Sequence, residues 1–246
     1  MTRLVTVCLA AMAVCNVLSG CGGSTTAVVA VPHVGAGRIT KAQAALYAHV
    51  VNLKAADLPG MRVTSPERGA RRPGRADREA DRCAANVNPE LRVAKINSAK
   101  FVGAAEAQHE EIYSNVEVMP TVALAAQNNA ANRSQRALSC AARFIPQLLG
   151  KSSGTRVHYG PVTITRLPSP LPGIRGSFGF RIAIAILGVP AAIEPTTPHL
   201  YFDSFGFLSG QAEVALIAVA FPQPVSEEVD ARLISLLHSR TEEHQL

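Results

Sequence analysis

Five cysteines, seven histidines and a few charges set into apolar strands are the residues through which this 246-residue chain could do chemistry. A serine hydrolase presents its nucleophile in a Gly-x-Ser-x-Gly turn between a strand and a helix. The nearest string, Arg175-Gly176-Ser177-Phe178-Gly179, lacks the first glycine and stands at the start of a strand pattern. Its glycines are expected to shape a turn or bulge. A zinc protease needs His-Glu-x-x-His on one helix face. His109-Glu110-Glu111-Ile112-Tyr113 begins correctly and fails at the second histidine, and no two histidines elsewhere have that spacing. No glycine-rich phosphate loop or dinucleotide fingerprint follows a strand. The expectation is a chain that is not an enzyme and carries no metal and no cofactor, with a hydrolase as the weakest reading.

Arg181, Asp203 and Glu213 are charges inside otherwise apolar strands. A charge facing a core is costly unless it is paired. Two readings stay open. The three form structural pairs or point to solvent at strand ends, where charges guard exposed edges. Alternatively they line the rim of a pocket between sheet and helix, where a ligand could bind.

The start of the chain bears on where such a site would work. Met1-Thr2-Arg3 is a short basic start, and Leu4 to Val17 is a nearly unbroken apolar run. Small residues follow, then Cys21. This order is that of a secretory signal, and the apolar run is too short to span a bilayer. The string Leu18-Ser19-Gly20-Cys21 resembles the bacterial lipobox. That resemblance implies cleavage before Cys21 and a diacylglycerol on its thiol; a second acyl chain, such as palmitate, makes the membrane anchor stable. The other reading is an ordinary secreted protein with a chance cysteine near its cleavage site. Residues 1–20 are then the signal peptide, 21–37 the lipidated cysteine and a flexible tether, and 38–246 one domain.

This sorts the cysteines. Cys8 and Cys15 leave with the signal and Cys21 takes the lipid. Cys83 and Cys140 remain, in a compartment that permits a disulfide. Closing the loop between them is worth about 4 kcal/mol at most in the chain-entropy model. Two unpaired thiols are the alternative.

Composition narrows the partners. With 48% apolar and 17% charged residues, the chain is too apolar to be disordered. The net charge of +6 is mild for this length, and aromatics are only 5%, which leaves few stacking platforms for nucleic acid. Residues 66–82 set six arginines against four acids. The segment is a solvated charged loop and helix face, or a weak contact for anionic headgroups.

The elements that must position these residues follow from periodicity. Thr40-Lys41-Ala42-Gln43 fits a capping box ahead of a helix over about 41–55. Leu58-Pro59-Gly60 ends it. Met61–Thr64 is a strand, 76–82 can be helical, and strands are expected within 91–104 and 110–119. A helix from Pro120 is expected to break at Asn128, Asn129 and Asn132. A second runs from about Ser134 to Leu149, with Gly150 as its C-cap. Beyond Gly150 the period changes from 3.6 to 2. Strands are expected at 156–167, 178–187, 200–205 and 211–221, and then a helix from Pro224 or Ser226 with Val229, Leu233, Leu236 and Leu237 on one stripe. The fold class is α+β: a largely antiparallel sheet with N-terminal, middle and C-terminal helices packed on it.

With its lipobox, one cysteine pair, four C-terminal strands and a closing amphipathic helix, the chain resembles small actinobacterial cell-envelope lipoproteins. Some of these are PsbP-like; others are similar to extracytoplasmic sensor domains of bacterial serine/threonine kinases. The chain departs from the kinase-sensor type in offering one cysteine pair rather than two. The resemblance implies a lipid-anchored module on the extracytoplasmic face of the cell membrane. Such a module would bind a lipid, a small molecule or an envelope protein without catalysis, or serve as a structural or trafficking protein by protein–protein contact.

Overall fold

The computed structural model describes residues 39–69, 75–84, 88–103, 108–152, 158–187 and 197–246. Cys21 and the residues expected to form a signal and a tether lie outside them. Among the described residues, nine strands form one antiparallel sheet with five helices on it, an α+β fold.

The sheet is built around two long neighbours, β5 (His109–Val118) and β9 (Ala212–Phe221), which pair along their whole length from His109↔Phe221 to Val118↔Ala212. On the far side of β9 come β8 (His199–Ser209), β7 (Phe178–Leu187) and β6 (His158–Arg166). On the far side of β5, two short strands share one edge. β4 (Lys100–Val102) pairs its first half and β3 (Ala94–Asn97) its second. β1 (Arg62–Ser65) continues β4, and β2 (Arg68–Gly69) continues β3. Gly160-Pro161 falls where the β6 register slips, between Tyr159 and Val162. Proline cannot donate to a ladder, so a bulge on an edge strand accommodates it.

Alternation along the strands gives the sheet two apolar faces. Val214, Leu216, Ala218 and Ala220 of β9 join Ile112, Val116 and Val118 of β5 on one face. α1 (Lys41–Val51) and α5 (Glu227–Glu243) cover it with Ala44, Tyr47, Leu233, Ile234 and Leu237. On the other face Ile182, Ile184 and Ile186 of β7 meet Val219 and Phe221. Leu149 of α4 (Gln135–Ser152) packs there. α3 (Val122–Asn132) lies beside it through Ala125.

The capping box forms as expected: Gln43 N donates to Thr40 Oγ1, and Thr40 N donates to Gln43 Oε1. α1 stops four residues before the expected end because Asn52 and Leu53 are held elsewhere. Ser114 of β5 donates to Asn52 Oδ1 at 2.8 Å, and Leu53 N donates to Ser114 Oγ at 2.9 Å. Of the expected break at Asn128, Asn129 and Asn132, only the last is found: α3 ends at Asn132 but runs through Asn128 and Asn129, whose side chains have partners off the helix. α4 also passes through Pro146 and Gly150 to Ser152. β8 runs on past the expected residue 205, with Phe207 fully buried among α1 and α5 contacts. Cys83 of α2 (Arg75–Ala84) and Cys140 of α4 are joined by a disulfide across 57 residues, with Cα atoms 5.9 Å apart.

Candidate functional site

The three strand charges separate into two places. Register puts Arg181 of β7 opposite Asp203 of β8, and Asp203 opposite Ala218, so both lie on the α5 face. Arg181 clasps Asp203 with two parallel bonds, Nε to Oδ1 at 2.7 Å and Nη2 to Oδ2 at 2.6 Å. This fork is the strongest geometry available to a guanidinium and a carboxylate. Asp203 is fully buried, whereas the Arg181 side chain is 19% exposed and sits over the Tyr201 ring. The bond to Asp203 holds the Arg181 guanidinium above its ordinary range.

Glu213 lies on the opposite face, beneath α3. It accepts from Asn128 Nδ2 at 3.0 Å and Asn132 Nδ2 at 2.9 Å. Its cross-strand partner is Glu117, which accepts from Arg92 and Asn128 and is bridged by Lys95 at 3.4 Å. Burial, followed by repulsion from Glu117, raises the Glu213 carboxyl to about 7. Each carboxylate oxygen of Glu213 and Glu117 has a donor or a cation beside it, whereas Asn128 Oδ1 is buried without a partner; the network fastens α3 to the sheet. Glu213 therefore belongs to the packing of α3, on the other side of the sheet from Arg181 and Asp203.

A group that periodicity did not single out completes the first place. Asp230 of α5 is 1% exposed, and neither of its carboxylate oxygens has a hydrogen-bond partner. It shares the inner stripe of α5 with Leu233, Ile234 and Leu237, three, four and seven residues on. That phase was a sequence signal, since an acid stood where the helical period required an apolar residue. Ser226 caps the helix, and Glu227, Glu228 and Asp230 crowd its first turn, where the helix dipole favours negative charge. Burial raises the Asp230 carboxyl to about 7; Asp203 pushes the same way, and Arg181 partly offsets both. Glu110 of β5 and Glu227 add further negative field.

This cluster sits where helical cover gives way. α1 and α5 pack over β3, β5, β8 and β9. Beyond them on the same face, Thr163 and Thr165 of β6 are exposed, and Ala183 and Tyr201 are half-buried. Asp203, Asp230 and Glu227 thus act on one guanidinium at the border of the helical cover, and Glu110, which accepts from Gln108, adds its field at Asp230.

The residues of the hydrolase-like strings are occupied otherwise. The Ser177 hydroxyl bonds the Ser169 hydroxyl in the turn before β7. Gly176 has φ +69°, and a Cβ there would fall 2.8 Å from Leu208 and Asn129 side-chain atoms, so the turn requires glycine. His109 opens β5, and burial lowers its pKa. Among the described residues no three His, Cys, Asp or Glu are grouped to hold a metal ion. Among them, too, no helix is long and apolar enough to cross a membrane.

No family model matches the chain, and no curated protein matches it. Among solved structures it is similar to the extracellular domain of PknH from Mycobacterium tuberculosis, over 85% of this chain and 100% of that one, at 8% identity and a TM-score of 0.39. A likeness at that level assigns nothing to this chain.

Proposed function

We propose that this chain is a lipid-anchored, extracytoplasmic binding module without catalytic activity, and that its ligand site is the border cluster of Arg181, Asp203 and Asp230. One observation carries the proposal: Asp230 is buried beside a charge pair with both oxygens unsatisfied. Buried polar atoms in native proteins nearly always have partners, and an exception asks for a water, an ion or a ligand. The compartment is supported by the Cys83–Cys140 disulfide, which an oxidising environment sustains, and by the lipobox-like string ending at Cys21.

Two experiments test this. Globomycin treatment of the host should accumulate a precursor that is heavier than the mature protein, and Cys21→Ala should abolish membrane retention. An unchanged mature protein under the drug would refute the anchor. Native mass spectrometry of the processed protein, extracted from host membranes in mild detergent, should show a small molecule that leaves on activation. An empty monomer, or a protein partner alone, would refute the binding module.

A further inference from the structure

We propose that the border cluster binds an organic cation, through a primary or secondary ammonium group seated against Asp230. The inference deepens the binding-module reading and rests on it.

The chemistry of the occupied and open groups selects the ligand. Among the described residues Arg181 is the cation that acts most on Asp230, and both oxygens of Asp203 are already held in its fork. An anion would have to displace Asp203 and enter a field of four carboxylates. A neutral apolar ligand would deepen the burial of charges without satisfying them. An ammonium group supplies two or three N–H donors, and the Asp230 carboxylate offers only acceptors. Asp230 itself is closed from solvent, and the exposed Glu227, the half-buried Tyr201 and the partly exposed Arg181 mark the side from which a ligand would reach it. Tyr201 adds an aromatic wall suited to the carbon skeleton of an amine.

The same geometry couples binding to protons. The groups facing Asp230 are Asp203 from β8, Arg181 from β7, Glu110 from β5 and Glu227 from α5 itself. An ammonium group favours the ionised carboxyl, whose ordinary position here is raised to about 7. Binding therefore releases protons below about pH 7, and affinity rises between pH 5.5 and 8.

The test is isothermal titration calorimetry on the processed full chain in detergent micelles. Putrescine is the probe, 1,4-butanediol the neutral control and calcium chloride the inorganic cation. Expected are saturable one-site binding of putrescine, none of butanediol, and an enthalpy that varies with buffer at pH 6. Asp230→Asn, which keeps the shape of the side chain, should weaken binding at least tenfold. The exposed Glu227→Gln should weaken it about twofold to threefold, and Glu213→Gln on the opposite face should leave it unchanged. No saturable binding, equal binding in Asp230→Asn, or calcium bound in place of the amine would overturn the proposal. A different small molecule seen by native mass spectrometry and retained in Asp230→Asn would overturn the amine alone and leave the binding module standing. An empty chain would overturn both.

Discussion

Lys100 and Glu111 face each other from neighbouring strands with Nζ 2.6 Å from Oε1, and their side chains are only 7% and 3% exposed. Burying such a pair gains little over an apolar pair of similar size, whereas removing one member strands a charge. Lys100→Met should therefore destabilise the fold by about 3–5 kcal/mol. Lys100→Met combined with Glu111→Leu should recover most of that loss. Urea unfolding of the two single variants and the double variant measures the coupling directly; additive losses would contradict it.

Asp230 predicts a pH profile. In the unfolded chain its carboxyl titrates near 3.8, and in the folded chain near 7. Between these values the folded state keeps a proton that the unfolded state has lost. The stability contributed by this group is full below about pH 4, falls as pH rises through 7 and is flat above that. Asp230→Asn should remove the slope and melt above the unliganded parent at pH 8, by roughly 2 kcal/mol. The advantage should vanish near pH 4. Scanning calorimetry across that range is the measurement.

Glu213 contributes a second slope of the same sign, from its ordinary 4.5 to about 7. Glu213→Gln removes the slope; its Oε1 keeps one asparagine donor while its amide nitrogen faces the other, so at pH 8 the lost repulsion and the lost acceptor offset to within about 1 kcal/mol. Glu213→Leu leaves Asn132 without its acceptor and should cost about 1–3 kcal/mol. A smaller effect of leucine than of glutamine in thermal melts would contradict the network described for α3.

The disulfide makes the fourth prediction. Cys83 and Cys140 close 57 residues, for which chain entropy sets about 4 kcal/mol as an upper figure. Cys140→Ser should lower the urea midpoint accordingly, and dithiothreitol should lower that of the parent but not of the variant. Unequal midpoints between the reduced parent and the serine variant would show that the thiol itself matters to packing.

These sites show where sequence reading stops. The strands of the C-terminal half were legible because Phe178–Leu187 alternates large with small residues and Val214–Phe221 is an unbroken short apolar run bounded by turn residues. The cysteine pair was legible because compartment left only two candidates. The pairing of Arg181 with Asp203 was not. It depends on the β7–β8 register, which joins residues 22 apart, and no local period encodes that. While the helix does end at Asn132, Asn128 and Asn129 misled for a related reason. Their low helix propensity is local, while the acceptors that overrule it, Glu117, Gly176 and Glu213, lie far along the chain. Asp230 was visible in the helical phase, but its meaning appears only once the sheet beneath it is in place.

Strand β9 bears on the order in which the molecule can be made. It is the last strand synthesised, yet it is the one that unites β5 with β8. A nascent chain that has emerged only as far as Ser209 holds two half-sheets, each with a long open edge. Such edges are templates for pairing with other chains. Contacts this distant in sequence also form slowly. Residues Ala212–Phe221 thus act as a keystone: a chain cut within them should yield not a shorter version of the protein but two open-edged half-sheets that aggregate, held together only by the connecting chain.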